Sequence, residues 1–133
     1  MKALIKSWLT TLCALVPLTI PGLAFAATLP PLPVTSISAL GPSAAQVGGG
    51  ICKNGIEVVE VAFRLDETMY RLYLADNGAF VLVDQRDGDE TPIWFGTVHH
   101  QTGAMRLVET IRFKDLKDPS LCQNLARLGK QAT

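Results

Sequence analysis

Apolar side chains recur at every second residue through much of the chain after residue 56, and a period of two is typical of β-strands. Within residues 57–65, Val59, Val61 and Phe63 share one side of the predicted strand, because successive side chains of a strand point to opposite faces. This alternation constrains the chain to form a β-sheet. The connections between the strands then decide the topology.

The first connection is Asn77-Gly78, which lies between apolar runs at residues 68–75 and 79–84. Asn-Gly tolerates the positive φ angles of a two-residue turn, so a tight antiparallel hairpin is predicted here. The predicted cross-strand pairs are Leu74 with Val81, Tyr73 with Leu82, Leu72 with Val83, and Arg71 with Asp84 as an ion pair. In this register both faces are apolar, and one of them carries Tyr73, Ala75, Phe80 and Leu82. Such a hairpin is expected inside a covered sheet, or with one face against a partner.

A second hairpin is predicted between residues 92–100 and 104–113, with Gly103 at a left-handed position of its loop. If His100 is opposite Ala104, Glu109 falls on an apolar face. That face carries Ile93, Phe95, His99, Met105, Leu107 and Ile111, and the other face carries Trp94, Val98, Arg106 and Val108.

The last predicted element is a helix over residues 118–128. Asp118 is a favourable N-cap, and Pro119 suits the first helical turn. The helical period is carried by Leu121, Leu125 and Leu128. Gly129 is a suitable stop.

These elements predict a mainly β domain of the α+β class at residues 51–133. It has an antiparallel sheet of about five strands in a meander and one C-terminal helix. The pattern leaves open whether the sheet stays open or curls into a small barrel. Residues 27–50 have no charge, four prolines and three consecutive glycines, and are predicted to be a linker or a loose arm. A short edge strand at residues 34–40 is an alternative for part of this segment.

Residues 1–26 resemble a secretory signal peptide, with a basic start, an apolar run and a small-residue cleavage pattern at 24–26. The apolar run, residues 7–20, is shorter than the roughly 20 residues of a membrane-spanning helix. Cleavage after Ala26 is therefore predicted, with an uncleaved anchor as the alternative. Cleavage would leave no membrane span and would place the protein in a periplasm or outside the cell.

Cys52 and Cys122 remain after the predicted cleavage, and an even pair in an oxidising compartment predicts one disulfide. The alternative is a redox-active or metal-binding pair, but no Cys-x-x-Cys motif supports it. The whole chain has 12 basic and 12 acidic residues, and the predicted cleavage removes Lys2 and Lys6, which leaves 10 basic and 12 acidic residues. This balance gives no electrostatic reason to bind nucleic acid or an anionic membrane.

Three groups of residues could carry chemistry. The acidic loop at residues 84–90 clusters carboxylates as calcium sites do, but without EF-hand spacing, and a solvated loop is the simpler interpretation. His99 and His100 are neighbours on a predicted strand, so they should point to opposite faces and not share a metal. Glu109, if buried on its apolar face, could act as a general acid or contact a ligand. A sheet edge, a bulge or an ion pair with an arginine would explain Glu109 without such a role.

The side chains available for a binding surface are Tyr73, Phe80, Leu82, Trp94 and Glu109. No nucleophile motif, phosphate-binding loop or catalytic carboxylate pair is visible, so a non-enzymatic role without a cofactor is favoured. The first hypothesis is a small exported binding module for another protein or for itself, as an inhibitor or accessory subunit, acting through a sheet face or strand edge. The alternatives are a barrel that carries a small apolar ligand, oriented by Glu109 or Arg106, and a small hydrolase that uses Glu109 with a histidine.

Overall fold

The computed structural model describes residues 29–86 and 88–132, so the predicted signal peptide lies outside the described residues. The strands are β1 Ala45–Ile51, β2 Glu57–Leu65, β3 Thr68–Ala75, β4 Ala79–Asp84, β5 Pro92–Val98 and β6 Met105–Arg112, and the helix is α1 Leu121–Gly129. Neighbouring strands pair antiparallel in sequence order, which confirms the predicted meander with a C-terminal helix. The described sheet has six strands, one more than expected. Its first and last strands are both edges, so it stays open and is not a barrel.

The additional strand comes from the segment predicted to be a linker or loose arm. Residues 45–51 form β1, and the residues before them pack on the sheet, with Val34 and Leu40 buried in the core. The edge strand considered for residues 34–40 is instead partly a 3-10 helix at Ile37–Leu40. The linker prediction is wrong for these residues, because contacts with distant strands hold a segment whose own pattern is weak.

The sheet has a buried apolar cluster on each side. The segment before β1 covers one side, here called the N-terminal face, whose core contains Val34, Leu40, Phe63, Leu72, Phe80, Leu82, Trp94 and Met105. The other side is the helix face, whose core contains Ala79, Val81, Ile93, Phe95, Leu125 and Leu128. Because α1 packs mainly on β4 and β5, it covers the β1 end of the helix face less completely.

The register of the β3–β4 hairpin differs from the prediction by one residue. Leu74 lies opposite Phe80, because the loop contains three residues, 76–78, instead of two. Gly78 has a φ of 87°, whereas Asn77 has no positive φ. The turn is therefore not the two-residue type in which both central residues adopt positive φ.

This shift changes which side chains share a face, because successive residues of a strand alternate between faces. Phe80 and Leu82 lie on the N-terminal face, whereas Tyr73 and Ala75 lie on the helix face. The predicted common face of Tyr73, Phe80 and Leu82 is therefore wrong.

The β5–β6 hairpin also starts one residue away from the predicted register, since Val98 lies opposite Met105. A bulge at Val108 then restores the expected pairing, and Phe95 lies opposite Glu109. As a result Met105 lies on the N-terminal face and Val108 on the helix face, the reverse of the prediction.

The helix begins slightly later than predicted, after Ser120 rather than Asp118. The Ser120 hydroxyl accepts the N–H of Gln123 at 3.2 Å and so caps the first turn. Asp118 accepts the N–H of Ser120 instead. The helix ends at Gly129, near the expected stop. In the described part of the chain, no helix has the length and apolar character needed to cross a membrane.

The predicted disulfide between Cys52 and Cys122 is present. Cys52 follows β1 directly and Cys122 lies in the first turn of α1, so the bond ties the sheet edge to the helix. The two cysteines are 70 positions apart. For a loop of this size the chain-entropy model gives a stabilisation of about 4 kcal/mol.

Candidate functional site

The two edge strands differ in how their outer sides are protected. β6 carries the charged residues Arg106, Glu109 and Arg112 and contains a bulge, which are features that discourage pairing with another strand. The start of β6 is also covered, because the N–H of Met105 donates to the carbonyl of Thr35 at 2.8 Å. β1 also contains a bulge, at Val47, but it has neither a charged residue nor a proline.

The outer side of β1 presents backbone groups that no described residue pairs with. The N–H of Cys52 donates to the carbonyl of Ile56 in the β1–β2 connection at 2.8 Å, so the backbone groups of Cys52 point toward β2. Because the hydrogen-bonding direction alternates along an antiparallel strand, the N–H and C=O groups of Ile51 and Gly49 point outward. The position of Glu57, which lies opposite Ile51, is consistent with this direction. Its carbonyl accepts the N–H of Asp76, so its backbone groups point toward β3 and away from Ile51.

The three glycines of β1 differ in what the fold requires of them. Gly49 has a φ of 152°, and a Cβ there would lie 2.6 Å from the carbonyl oxygen of Val58. A Cβ on Gly48 would lie 2.8 Å from a carboxylate oxygen of Glu60. A Cβ on Gly50 would have no heavy atom within 4 Å. The fold therefore leaves open space at Gly50.

An open cavity of about 260 Å³ lies on the helix face beside Gly50. Val58 and Tyr73 form its floor, and Leu121 of α1 forms a wall together with the disulfide. The other lining residues are Gly49, Ile51 and Glu60. Because small-molecule sites usually measure about 300–1,000 Å³, this cavity suits a single side chain better than a whole small molecule.

The charged side chain of this cavity, Glu60, is paired, since Arg71 Nη1 donates to Glu60 Oε2. The pair leaves no unbalanced charge and therefore favours an uncharged occupant. Arg71 was predicted to pair with Asp84, and this prediction is wrong, because Arg71 pairs with Glu60. Asp84 is bound instead by Arg86, whose guanidinium hydrogen bond holds the pKa of the Asp84 carboxyl below its usual value.

Of the residues predicted to form a binding surface, only Tyr73 lines this cavity. Phe80, Leu82 and Trp94 are buried in the core of the N-terminal face. Trp94 Nε1 also donates to the carbonyl of Pro30 at 3.1 Å, in the segment that covers this face. The register shift and this cover make the three residues unavailable to a partner.

Glu109 is not buried among apolar residues as considered from the sequence. It lies on the edge strand β6, and its side chain is 41% exposed. Its Oε1 accepts from Nη1 of Arg127 at 3.0 Å, and the Arg127 guanidinium lies 5.8 Å from the centre of the Phe95 ring. Glu109 thus pairs with an arginine of α1, and this contact ties α1 to β6.

His99 and His100 follow the end of β5, so strand alternation does not separate them. Their rings stack with centroids 5.4 Å apart, and the prediction of opposite faces is wrong. Within the described residues, no group of three or more His, Cys, Asp or Glu side chains could hold a metal ion. Asp87 of the acidic loop lies outside the described residues.

The sequence interpretation missed the contribution of Gly49, Gly50 and Ile51 to this site. A run of glycines indicates a flexible joint, because glycine is disfavoured in strands. A glycine inside a strand can also mark a place where another backbone or a ligand approaches closely. That signal becomes usable only once residues 45–51 are known to form a strand.

No protein-family model matches the chain, and no curated protein or solved structure matches it either.

Proposed function

We propose that this chain is a small exported, non-enzymatic binding module that accepts an extended segment of a partner protein along β1. The supporting observation is the pair of outward-facing residues, Gly49 and Ile51, on an edge without the charges and cover of β6. An added strand would satisfy their backbone groups, with main-chain hydrogen bonds for affinity and side-chain pockets for specificity. An inhibitor or an accessory subunit could both use such an edge.

The backbone alone would give only a weak complex. Each hydrogen bond contributes about 0.5–1.5 kcal/mol net, and the two outward residues offer two donors and two acceptors. A micromolar complex requires about 8 kcal/mol, so side-chain contacts must add to the backbone bonds. The side chain of Ile51, which is 71% exposed, supplies apolar surface on one side of the edge. The cavity beside Gly50 supplies it on the other side.

Two features support export. Residues 1–26 have the composition of a signal peptide. The Cys52–Cys122 disulfide is of the kind that persists in oxidising compartments. A partner would therefore be met in a periplasm or outside the cell.

The alternatives have less geometric support. An open sheet offers no barrel interior for a small apolar ligand. Glu109 is half-exposed and paired with Arg127, which does not favour a hydrolase.

A peptide library tests the proposal. The full chain, expressed with its disulfide intact, is panned against random displayed peptides of about nine residues, which is within the usual range of strand lengths. The best binders are synthesised, and their Kd values are measured for the native chain and for Ile51→Pro. Proline removes the outward N–H of Ile51 and keeps the inward β1–β2 bonds, because edge strands tolerate proline where the N–H faces solvent. We expect binding at least about fivefold weaker, which corresponds to one lost hydrogen bond.

The matched control is Ile51→Val, which keeps the N–H and a β-branched side chain. It loses one methylene group of the apolar contact surface, so it should bind at most about fourfold more weakly than the native chain and more tightly than Ile51→Pro. Circular dichroism and the intact disulfide verify that both variants fold. Equal binding by Ile51→Pro and Ile51→Val, or a library that yields no binder for the native chain, would refute the proposal.

A further inference from the structure

We infer that the partner segment carries one bulky, uncharged apolar side chain opposite Gly50, and that this side chain occupies the cavity beside Gly50. The inference rests on the proposed function and names the feature of the partner that the site selects. Side chains of directly opposite residues in neighbouring strands lie on the same face of a sheet. The partner residue opposite Gly50 therefore points toward the helix face, where the cavity lies.

The direction of the backbone groups of β1 places the partner residue opposite Gly50 especially close to β1. Gly49 and Ile51 point their backbone groups outward, so Gly50, which lies between them, points inward toward Val58. In an added antiparallel strand, the residue opposite Gly50 thus belongs to a non-hydrogen-bonded pair. Such pairs bring their Cα atoms and side chains nearer than hydrogen-bonded pairs do. A side chain on the partner would lie directly over Gly50.

Gly50 has no role in the fold that would explain a glycine. Its φ is not positive, and a Cβ would meet no heavy atom within 4 Å, in contrast to Gly49. Glycine weakens a strand because it has no side chain to pack and loses more entropy on folding. An aromatic or branched side chain of a neighbouring strand can cover such a glycine. An incoming side chain is the occupant that this space fits.

The walls of the cavity define the chemistry of that side chain. Val58, Tyr73 and Leu121 present apolar surface, and the disulfide holds α1 beside the end of β1. Glu60 is neutralised by Arg71, so a charged side chain would lose hydration and gain no free partner charge. Leucine, isoleucine, methionine and phenylalanine satisfy these conditions.

A second copy of this chain that pairs through the glycines of β1 would not fill the cavity. When two β1 strands pair antiparallel about Gly49 or Gly50, the residue opposite Gly50 is itself a glycine, Gly48 or Gly50. The space over Gly50 would then stay open. The geometry therefore favours an extended peptide of different sequence.

The test uses the peptides selected by the native chain and the variant Gly50→Leu. The new leucine projects into the cavity, keeps the outward N–H groups, and meets no backbone strain. We expect it to weaken peptide binding about ten- to a hundredfold, since it displaces one buried apolar side chain. The matched control is Ala104→Leu, which adds an exposed leucine in the connection between β5 and β6, at the opposite end of the sheet from β1, and should bind within about twofold.

A double-mutant cycle connects the peptide to Gly50. The apolar residue shared by the selected peptides is replaced with alanine, which should weaken binding to the native chain about ten- to a hundredfold. The same replacement should have little further effect on Gly50→Leu, because the cavity is already filled. Additive losses would overturn the inference.

The outcomes separate the inference from the proposed function. If Ile51→Pro weakens binding and Gly50→Leu does not, the edge is used and the inference about the cavity is wrong. If neither variant weakens binding, both are wrong. If light scattering shows a dimer of the native chain that Ile51→Pro abolishes, the occupant is a second copy and the inference is also wrong.

Discussion

At the scale of single residues, the structure depends on close approaches that the sequence does not display. A Cβ on Gly96 would lie 2.2 Å from the carbonyl oxygen of Arg106 and 2.5 Å from the Phe80 ring. A Cβ on Gly129 would lie 2.1 Å from Nδ2 of Asn77. Both glycines allow contacts between elements that are distant in sequence, so their roles were not predictable. The pairing of the two cysteines was predictable, because the expected compartment and their number were sufficient evidence.

The buried carboxylate of Asp84 makes stability depend on pH. Asp84 is 3% exposed, and the hydrogen bonds from Arg86 lower its pKa in the folded state. A group with a lowered folded pKa stabilises the protein above its unfolded pKa, and this stabilisation is lost as the pH falls through the folded pKa. We expect the free energy of unfolding to fall below about pH 4, and this part of the pH dependence to be absent in Asp84→Asn. Urea denaturation from about pH 2 to pH 7 measures it.

Near neutral pH, Asp84→Asn should lower the free energy of unfolding by about 1–3 kcal/mol, because charged hydrogen bonds of a buried group are lost. The control is Glu90→Gln. Glu90 pairs with Lys114 at 2.6 Å, but its side chain is exposed, so the control should stay close to the native pH curve. An acid-dependent loss that persists in full in Asp84→Asn would show that Asp84 is not its source.

At the scale of elements, both hairpins were predictable and their registers were not. The hairpins follow from local alternation, whereas the three-residue loop of the β3–β4 register is accompanied by hydrogen bonds of the Asn77 side chain. Its Oδ1 accepts the N–H of Ala79 at 3.1 Å, and its Nδ2 donates to the carbonyl of Leu125 in α1 at 3.0 Å. The three-residue loop thus contacts Leu125, which lies 48 positions away in the sequence. Local turn preferences cannot predict such a contact.

The disulfide should stabilise the fold and hold β1 in place. The double variant Cys52→Ala/Cys122→Ala leaves no unpaired thiol at the bridge and should lower the free energy of unfolding by about 2–5 kcal/mol, as measured with urea. Hydrogen exchange should show the loss of protection first in β1, because Cys52 directly follows this strand.

The control for the disulfide is Ser120→Ala, which removes the helix cap and should cost about 1 kcal/mol. It should leave the exchange of β1 amides close to that of the native chain. A double variant within 1 kcal/mol of the native chain, a difference of about the size of one cap, would contradict the stabilising role of the bond.

At the scale of the whole molecule, the fold class was predictable and the candidate site was not. Alternation, turn residues and spaced leucines were enough to predict a meander with a C-terminal helix. The site arises from how these elements are arranged: β1 ends the sheet, and α1 covers β4 and β5 while reaching β1 through the disulfide. Only Tyr73 of the predicted surface lines the resulting cavity, because its position depends on the true register.

Amide hydrogen exchange followed by NMR tests the central claim most directly. In the free chain, the N–H groups of Gly49 and Ile51 should exchange rapidly, because they face away from β2. A peptide selected by the native chain should slow both, and leave the amides of β6 unchanged. Protection of these two amides in the free chain, or a bound peptide that protects residues elsewhere and not these two, would contradict the account.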